Sequence, residues 1–234
     1  MIFKLTRRKK KAQVDSHIVT YHKPQSLITE EYRNLCVNII TMEEENPDKA
    51  FIITSSQENE GKGVVLCNLG VCMARELKKK ILLVDVDFEK PGLHKLLHFD
   101  MKHGLLDYIQ NGNSVNDIVK ETSVENMFIV TVGGIPTESM GILTSNKMKQ
   151  FVDEARKEFD FVLFTTAPVN THADAAILGP MTDGVILVIV NKKTQRETVE
   201  RAQMILKNAH TRTLGCILSD IRNYIPEVID QFLR

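Results

Sequence analysis

The chain has 234 residues, 43% hydrophobic and 26% charged, and its 30 basic residues equal its 30 acidic ones, for a formal net charge of zero. That balance gives no bulk electrostatic reason to expect nucleic-acid binding. No apolar run approaches the roughly 20 residues needed to span a bilayer, and no signal-type apolar stretch follows the basic start, so a cytoplasmic protein is expected.

Residues 1–12 carry Lys4, Arg7, Arg8, Lys9, Lys10 and Lys11 with no acid. The run 7–11 has two readings, a solubilising tail or a contact with anionic lipid at the inner face of the membrane. Together with the polar lead up to Lys23-Pro24-Gln25, it reads as a flexible segment, 1–25, ahead of a single domain over 26–234.

Within that domain, Leu27, Ile28, Leu35, Ile39 and Ile40 recur at helical spacing and predict an amphipathic helix over 26–45. Strand and helix patterns then alternate. Strands are predicted at 50–54, 81–86, 127–132, 160–164, 184–190 and 214–218, most of them near-continuous apolar runs that suit a parallel sheet buried on both faces. Helices are predicted at 62–79, 145–158 and 195–209, with Val199, Ala202, Ile205 and Leu206 as the buried stripe of the last. Pro226 suits the first turn of a short terminal helix. The expected fold is α/β: three layers of the P-loop NTPase type around a mainly parallel sheet.

The chemistry concentrates in two places. Ser55-Ser56-Gln57-Glu58-Asn59-Glu60-Gly61-Lys62-Gly63 stands between a strand and a helix and has the form of a phosphate loop. Its nucleotide-binding candidates are Ser55, Asn59, Glu60, Gly61, Lys62, Gly63 and Val64. The residue after the lysine is normally Ser or Thr, whose hydroxyl binds Mg²⁺, but here it is Gly63. The second strand ends in Asp85-Val86-Asp87, two carboxylates on the same side at the carboxyl edge of the sheet.

These segments bear a family resemblance. I-T-S-S-x-x-N-E-G-K-G, I-L-L-V-D-V-D-x-x-K-P-x-L-H and F-D-F-V-L-F-T-T-A-P, in that order, are similar to the cytoplasmic tyrosine kinases of bacteria, the CpsD/CapB family of exopolysaccharide-linked P-loop proteins related to ParA/MinD ATPases. The resemblance implies that Lys62 is the phosphate-loop lysine, that Asp85 activates a tyrosine hydroxyl, that Asp87 is its partner near the metal, and that Asp174 also matches. It implies a membrane-anchored polysaccharide co-polymerase or activator protein as partner.

The departures point the other way. Asn59 stands where the family has Gly. Gly63 removes the metal-binding hydroxyl, and Thr165 replaces the aspartate of the third motif. Ser219 stands where related proteins have an adenine-reading Asn, and only Tyr224 lies near the end in place of a tyrosine cluster. Removing one preorganised electrostatic partner typically slows a reaction by about 10²–10³. The expectation is therefore a catalytically impaired, pseudokinase-like regulator that binds ATP or ADP weakly and Mg²⁺ weakly or not at all. The rivals are an active protein-tyrosine kinase and a ParA/MinD-like ATPase switch.

Glu30 and Arg33 match the family's self-association motif, E-x-x-R-x-x-R, but Cys36 replaces its last arginine. The pair reads either as part of a homo-oligomer or hetero-oligomer contact with an active homologue, or as an i, i+3 ion pair on a solvated face. His94 and His98 read as structural or surface residues. The cysteines (Cys36, Cys67, Cys72, Cys216) lack C-x-x-C spacing and read as buried free thiols.

Overall fold

The computed structural model describes residues 14–45 and 49–219. In chain order the elements are α1 (Val19–His22), α2 (Leu27–Glu45), β1 (Ala50–Ser55), α3 (Lys62–Glu76), β2 (Ile81–Asp85), α4 (Leu93–Leu96), α5 (Leu105–Asn111), α6 (Val115–Ile118), β3 (Lys120–Glu121), β4 (Met127–Val130), α7 (Ser139–Leu143), α8 (Asn146–Glu158), β5 (Phe161–Thr165), α9 (Asp174–Leu178), β6 (Gly184–Val190), α10 (Arg196–Asn208) and β7 (Thr213–Ser219).

The seven strands form one sheet in the order β3-β4-β2-β5-β1-β6-β7, with only β3 antiparallel to its neighbour. All six predicted strands are present, and β1, β2 and β5 are buried along their whole length, as their unbroken apolar runs require. Helices cover both faces and enclose two apolar clusters. One holds Ile52, Val84, Phe151 and Phe164, and the other Phe51, Leu66, Leu83 and Phe161. The short β3 was not anticipated, since Lys120 and Glu121 carry no strand pattern and pair only with Ile129 and Phe128.

Two expectations are corrected. Residues 14–25 are not a flexible lead, because Val14 and Ile18 are buried and α1 packs on α3. Thr20 fixes that contact: its amide and its hydroxyl both donate to the buried Asn68 Oδ1 (3.0 Å each). A polar asparagine inside a helix supplied no sequence signal for this anchor. On α2 the buried face is rotated, with Thr29, Cys36 and Ile39 inside while Leu27 and Ile28 are exposed. The predicted terminal helix at Pro226, Tyr224 and the basic run 1–12 lie outside the described residues.

Strand order sets the site. β5 lies between β1 and β2, with Thr165 in register with Ile53 on one side and Asp85 on the other. The phosphate loop, the acidic strand end and the third-motif segment therefore converge on one edge of the sheet, at its carboxyl end.

Candidate functional site

The loop after β1 is built as an anion cradle. Asn59 (φ 62°) and Gly61 (φ 78°) both lie in the left-handed region, and Gly61 leads directly into the 15-residue helix α3. Asn59 thus adopts the conformation that a glycine would favour. Among the described residues, no acceptor is found for the amides of Asn59, Gly61, Lys62 and Gly63. Successive unpaired N–H groups at a helix N-terminus suit phosphate oxygens.

Glu60 also braces the loop from within. It is 2% exposed, and its Oε2 accepts bonds from the Ser56 amide (2.8 Å), the Ser56 hydroxyl (3.0 Å) and the Gln57 amide (3.0 Å), while Thr194 Oγ1 donates to its other oxygen. Its side chain thus shapes the loop from inside, while the residue itself lines the cleft described below. Ser55 donates its hydroxyl to Gln57 O (2.8 Å). Val169 and Asn170 send their amides to Ser55 O and Ser56 O, which binds the third-motif segment to the loop.

An open cleft of about 340 Å³ lies over this cradle, lined by Asn59, residues 60–64 and Asp87. Glu58, Glu89, Lys90, Lys95, Leu96 and His172 complete its rim. Glu58 belongs to the phosphate-loop run and Lys90 to the D-x-x-K-P segment, whereas Glu89, Lys95, Leu96 and His172 hold no fixed motif position, so only the folded chain reveals them. Ser55, Asp85, Thr165 and Ser219 do not line the cleft. Ser219 donates its hydroxyl to Ile189 O (3.1 Å) and reaches Glu60 O (3.5 Å). Glu30 and Arg33 are also away from the cleft, and Arg33 pairs with Glu30 (2.6 Å) and with Glu76 of α3 (2.9 Å).

The two acids of the D-x-D segment are both engaged within the protein. Asp87 Oδ2 holds Lys62 Nζ at 2.9 Å, with both side chains largely buried. Asp85 is fully buried, and its carboxylate accepts from the amides of Asp87 (3.2 Å), Gly92 (3.0 Å) and Leu93 (3.0 Å), bracing the start of α4. Burial pushes its pKa up to about 6, although the three amides pull it down. Asp174, 6% exposed, is likewise shifted upward by burial.

Fit to a nucleotide divides along this line. The free amides and Lys62 suit phosphates. On the metal side, where Mg²⁺ would need oxygen ligands, Gly63 offers none and the Asp87 carboxylate is paired with Lys62. A Cβ at Gly63 would sit 3.3 Å from Leu96 Cδ1 and 3.7 Å from Leu93 Cδ2, so methyl groups flank the place of the absent hydroxyl. Thr165 Oγ1 is buried without any hydrogen-bond partner. Among the described residues, no group of three metal-capable side chains occurs.

The AAA domain family matches residues 49–214. The tyrosine-protein kinase YwqD of Bacillus subtilis (strain 168) is 32% identical over 213 residues, spanning 91% of this chain and 90% of that protein. The crystal structure of the chimerical protein CapA2B2 is similar, with TM-score 0.82 and 27% identity over 88% of this chain and 90% of that one. The kinase domain of the Escherichia coli tyrosine kinase ETK superposes with TM-score 0.87 at 21% identity, covering 94% of this chain and 85% of that one, a likeness of fold. With an AAA domain over most of its length and this identity to a full-length kinase relative, the chain belongs to the bacterial tyrosine-protein kinase family.

Proposed function

We propose that this chain is a catalytically impaired kinase-like module that regulates capsule or exopolysaccharide assembly by binding a membrane-anchored co-polymerase or activator protein. The observation that carries the impairment is that Gly63, in the cleft, faces leucine methyls while Thr165, at the end of β5, brings a buried hydroxyl with no partner. Phosphoryl transfer depends mainly on positioning and on charge neutralisation by metal and cations, so losing the metal's oxygens removes the larger part of the machinery. Phosphate binding through the amide cradle is weak and depends little on magnesium, because Asp87 competes for Lys62. No helix among the described residues is long and apolar enough to cross a membrane, so membrane recruitment falls to the partner and the basic run. The family to which the chain belongs supports the partner class, and self-association or assembly with an active homologue through α2 is part of the same proposal.

A second reading, an active tyrosine kinase, draws on the retained Lys62, Asp85 and Asp87. Calorimetric titration with ATP and ADP, with and without Mg²⁺, separates the two. Weak, magnesium-independent binding is the expected result, and tight binding that collapses on chelation would overturn the impairment. Phosphotyrosine mapping after incubation with ATP and Mg²⁺ should find no modification. Phosphate on Tyr224 that disappears in an Asp85→Ala variant would establish the active kinase. Co-purification with the cytoplasmic part of a co-polymerase tests the partner.

A further inference from the structure

Among the described residues, Lys95 is the cation of the cleft that no acid of the protein engages. The acids that line the cleft are already committed. Asp87 holds Lys62 at 2.9 Å, Glu58 pairs with Lys90, and Glu89 lies 3.9 Å from His172 Nε2. The buried Glu60 carboxylate is taken up by Ser56, Gln57 and Thr194. Lys95 also lines the cleft and is exposed, and among the described residues its ammonium has no hydrogen bond or ion pair.

Its place in the fold adds a second observation. Lys95 stands on α4 between Leu93 and Leu96, the two residues whose methyl groups a Cβ at Gly63 would meet at 3.7 and 3.3 Å. The wall that fills the place of the missing hydroxyl with methyls therefore also carries a free positive charge.

We propose that Lys95 takes over the neutralising role of a divalent cation, binding the outer oxygens of a linear phosphate chain whose inner end lies in the amide cradle of residues 59–63. This rests on the reading of the cleft as a phosphate site impaired on its metal side. The ligand class is an oligophosphate, either inorganic polyphosphate or the triphosphate of a nucleotide. In P-loop proteins the metal neutralises charge on the outer phosphates. An ammonium supplies a compact charge and three donors, and it needs no oxygen ligands of its own, so leucine methyls beside it are no obstacle. Because each acid of the cleft is engaged, the negative charge of an incoming chain is met by the free amides and by Lys95. Lys95 touches the ligand and no reacting atom, so it sets what the cleft binds and under which conditions.

The test is calorimetric titration of the full chain with sodium tripolyphosphate and, separately, with ATP, in EDTA at low salt. The parent should bind tripolyphosphate with no divalent cation present. Lys95→Gln should weaken that binding roughly fivefold without moving the melting temperature, and the loss should shrink as salt is raised. Lys95→Arg should restore most of it. Lys149→Gln, which removes an exposed charge of α8 outside the cleft, controls for net charge and should leave the affinity unchanged. Both ligands should lose affinity alike in Lys95→Gln. ATP bound more tightly than tripolyphosphate assigns the chain to a nucleotide, and the reverse assigns it to an inorganic polyphosphate. An affinity that Lys95→Gln leaves intact, or lowers no more than Lys149→Gln does, would overturn the role of Lys95 and leave the phosphate site standing. Failure of the parent to bind either ligand without magnesium would overturn the phosphate reading and this inference together.

Discussion

Asp85 and Thr165 are register partners on β2 and β5, side by side at the carboxyl edge of the sheet, yet their side chains share no hydrogen bond. Asp85 is held by three backbone amides, while the Thr165 hydroxyl is buried without a partner. An acid braced by the backbone and an idle hydroxyl therefore stand where the proposed impairment has a metal-holding pair lost.

Restoring that pair is the most direct test. Thr165→Asp alone buries a second carboxylate near Asp85 and should lower stability by about 1–3 kcal/mol in metal-free buffer. Gly63→Ser alone should fold with a slight displacement of Leu96, whose methyl a new Cβ would approach to 3.3 Å. The double variant should gain magnesium-dependent ATP binding that neither single change gives in full, measured by calorimetry.

Asp87→Asn removes the carboxylate that competes for Lys62. Affinity for tripolyphosphate should rise roughly tenfold, about 1.4 kcal/mol, and Lys62→Ala should abolish the gain. Titrations at low and moderate salt check both.

Asp85 predicts a defined pH dependence. Its carboxyl is raised from 3.8 to about 6 in the folded chain, so the folded state favours the protonated form. Its contribution to stability is full below pH 3.8 and declines as pH rises to about 6, by on the order of 3 kcal/mol. Urea unfolding of the parent and of Asp85→Asn across that window should show the difference between them changing in this sense and flattening above it.

Glu60→Gln should loosen the phosphate loop. An amide keeps one acceptor but turns N–H groups toward the Ser56 and Gln57 amides or the Thr194 hydroxyl. Chemical denaturation should show a loss of about 1–3 kcal/mol.

Removing residues 1–12 should weaken binding to anionic vesicles at low salt and leave the melting temperature unchanged. Extending the deletion to residue 25 removes Val14, Ile18 and Thr20 from the core and should cost several kcal/mol, at about 25 cal/mol per Å² of apolar surface. Vesicle flotation and thermal melts separate the two effects.

Much of the fold was legible because buried parallel strands are continuous apolar runs, and β1, β2 and β5 advertise themselves in this way. The phosphate loop was legible because its glycine and lysine have fixed spacing before a helix. The roles of Glu60 and Asp85 were not legible. Both are acids in motifs that suggest a ligand, and only the folded backbone shows amides converging on them. The anchor of residues 14–25 was hidden for a related reason, since Thr20 and Asn68 are polar and their pairing spans 48 positions. On α2, Leu27 and Ile28 misdirected the buried face because they are exposed while Thr29 and Cys36, one polar and one small, are the residues buried.

The segment before α1 has a mechanical consequence. The Asp15 amide donates to the carbonyl of Leu96 at 2.9 Å, and Leu96 is the residue whose methyl closes over Gly63. The segment that leads into α1 is thereby a buttress of the phosphate cleft, so residues far from every motif help to fix the position of the wall above Gly63.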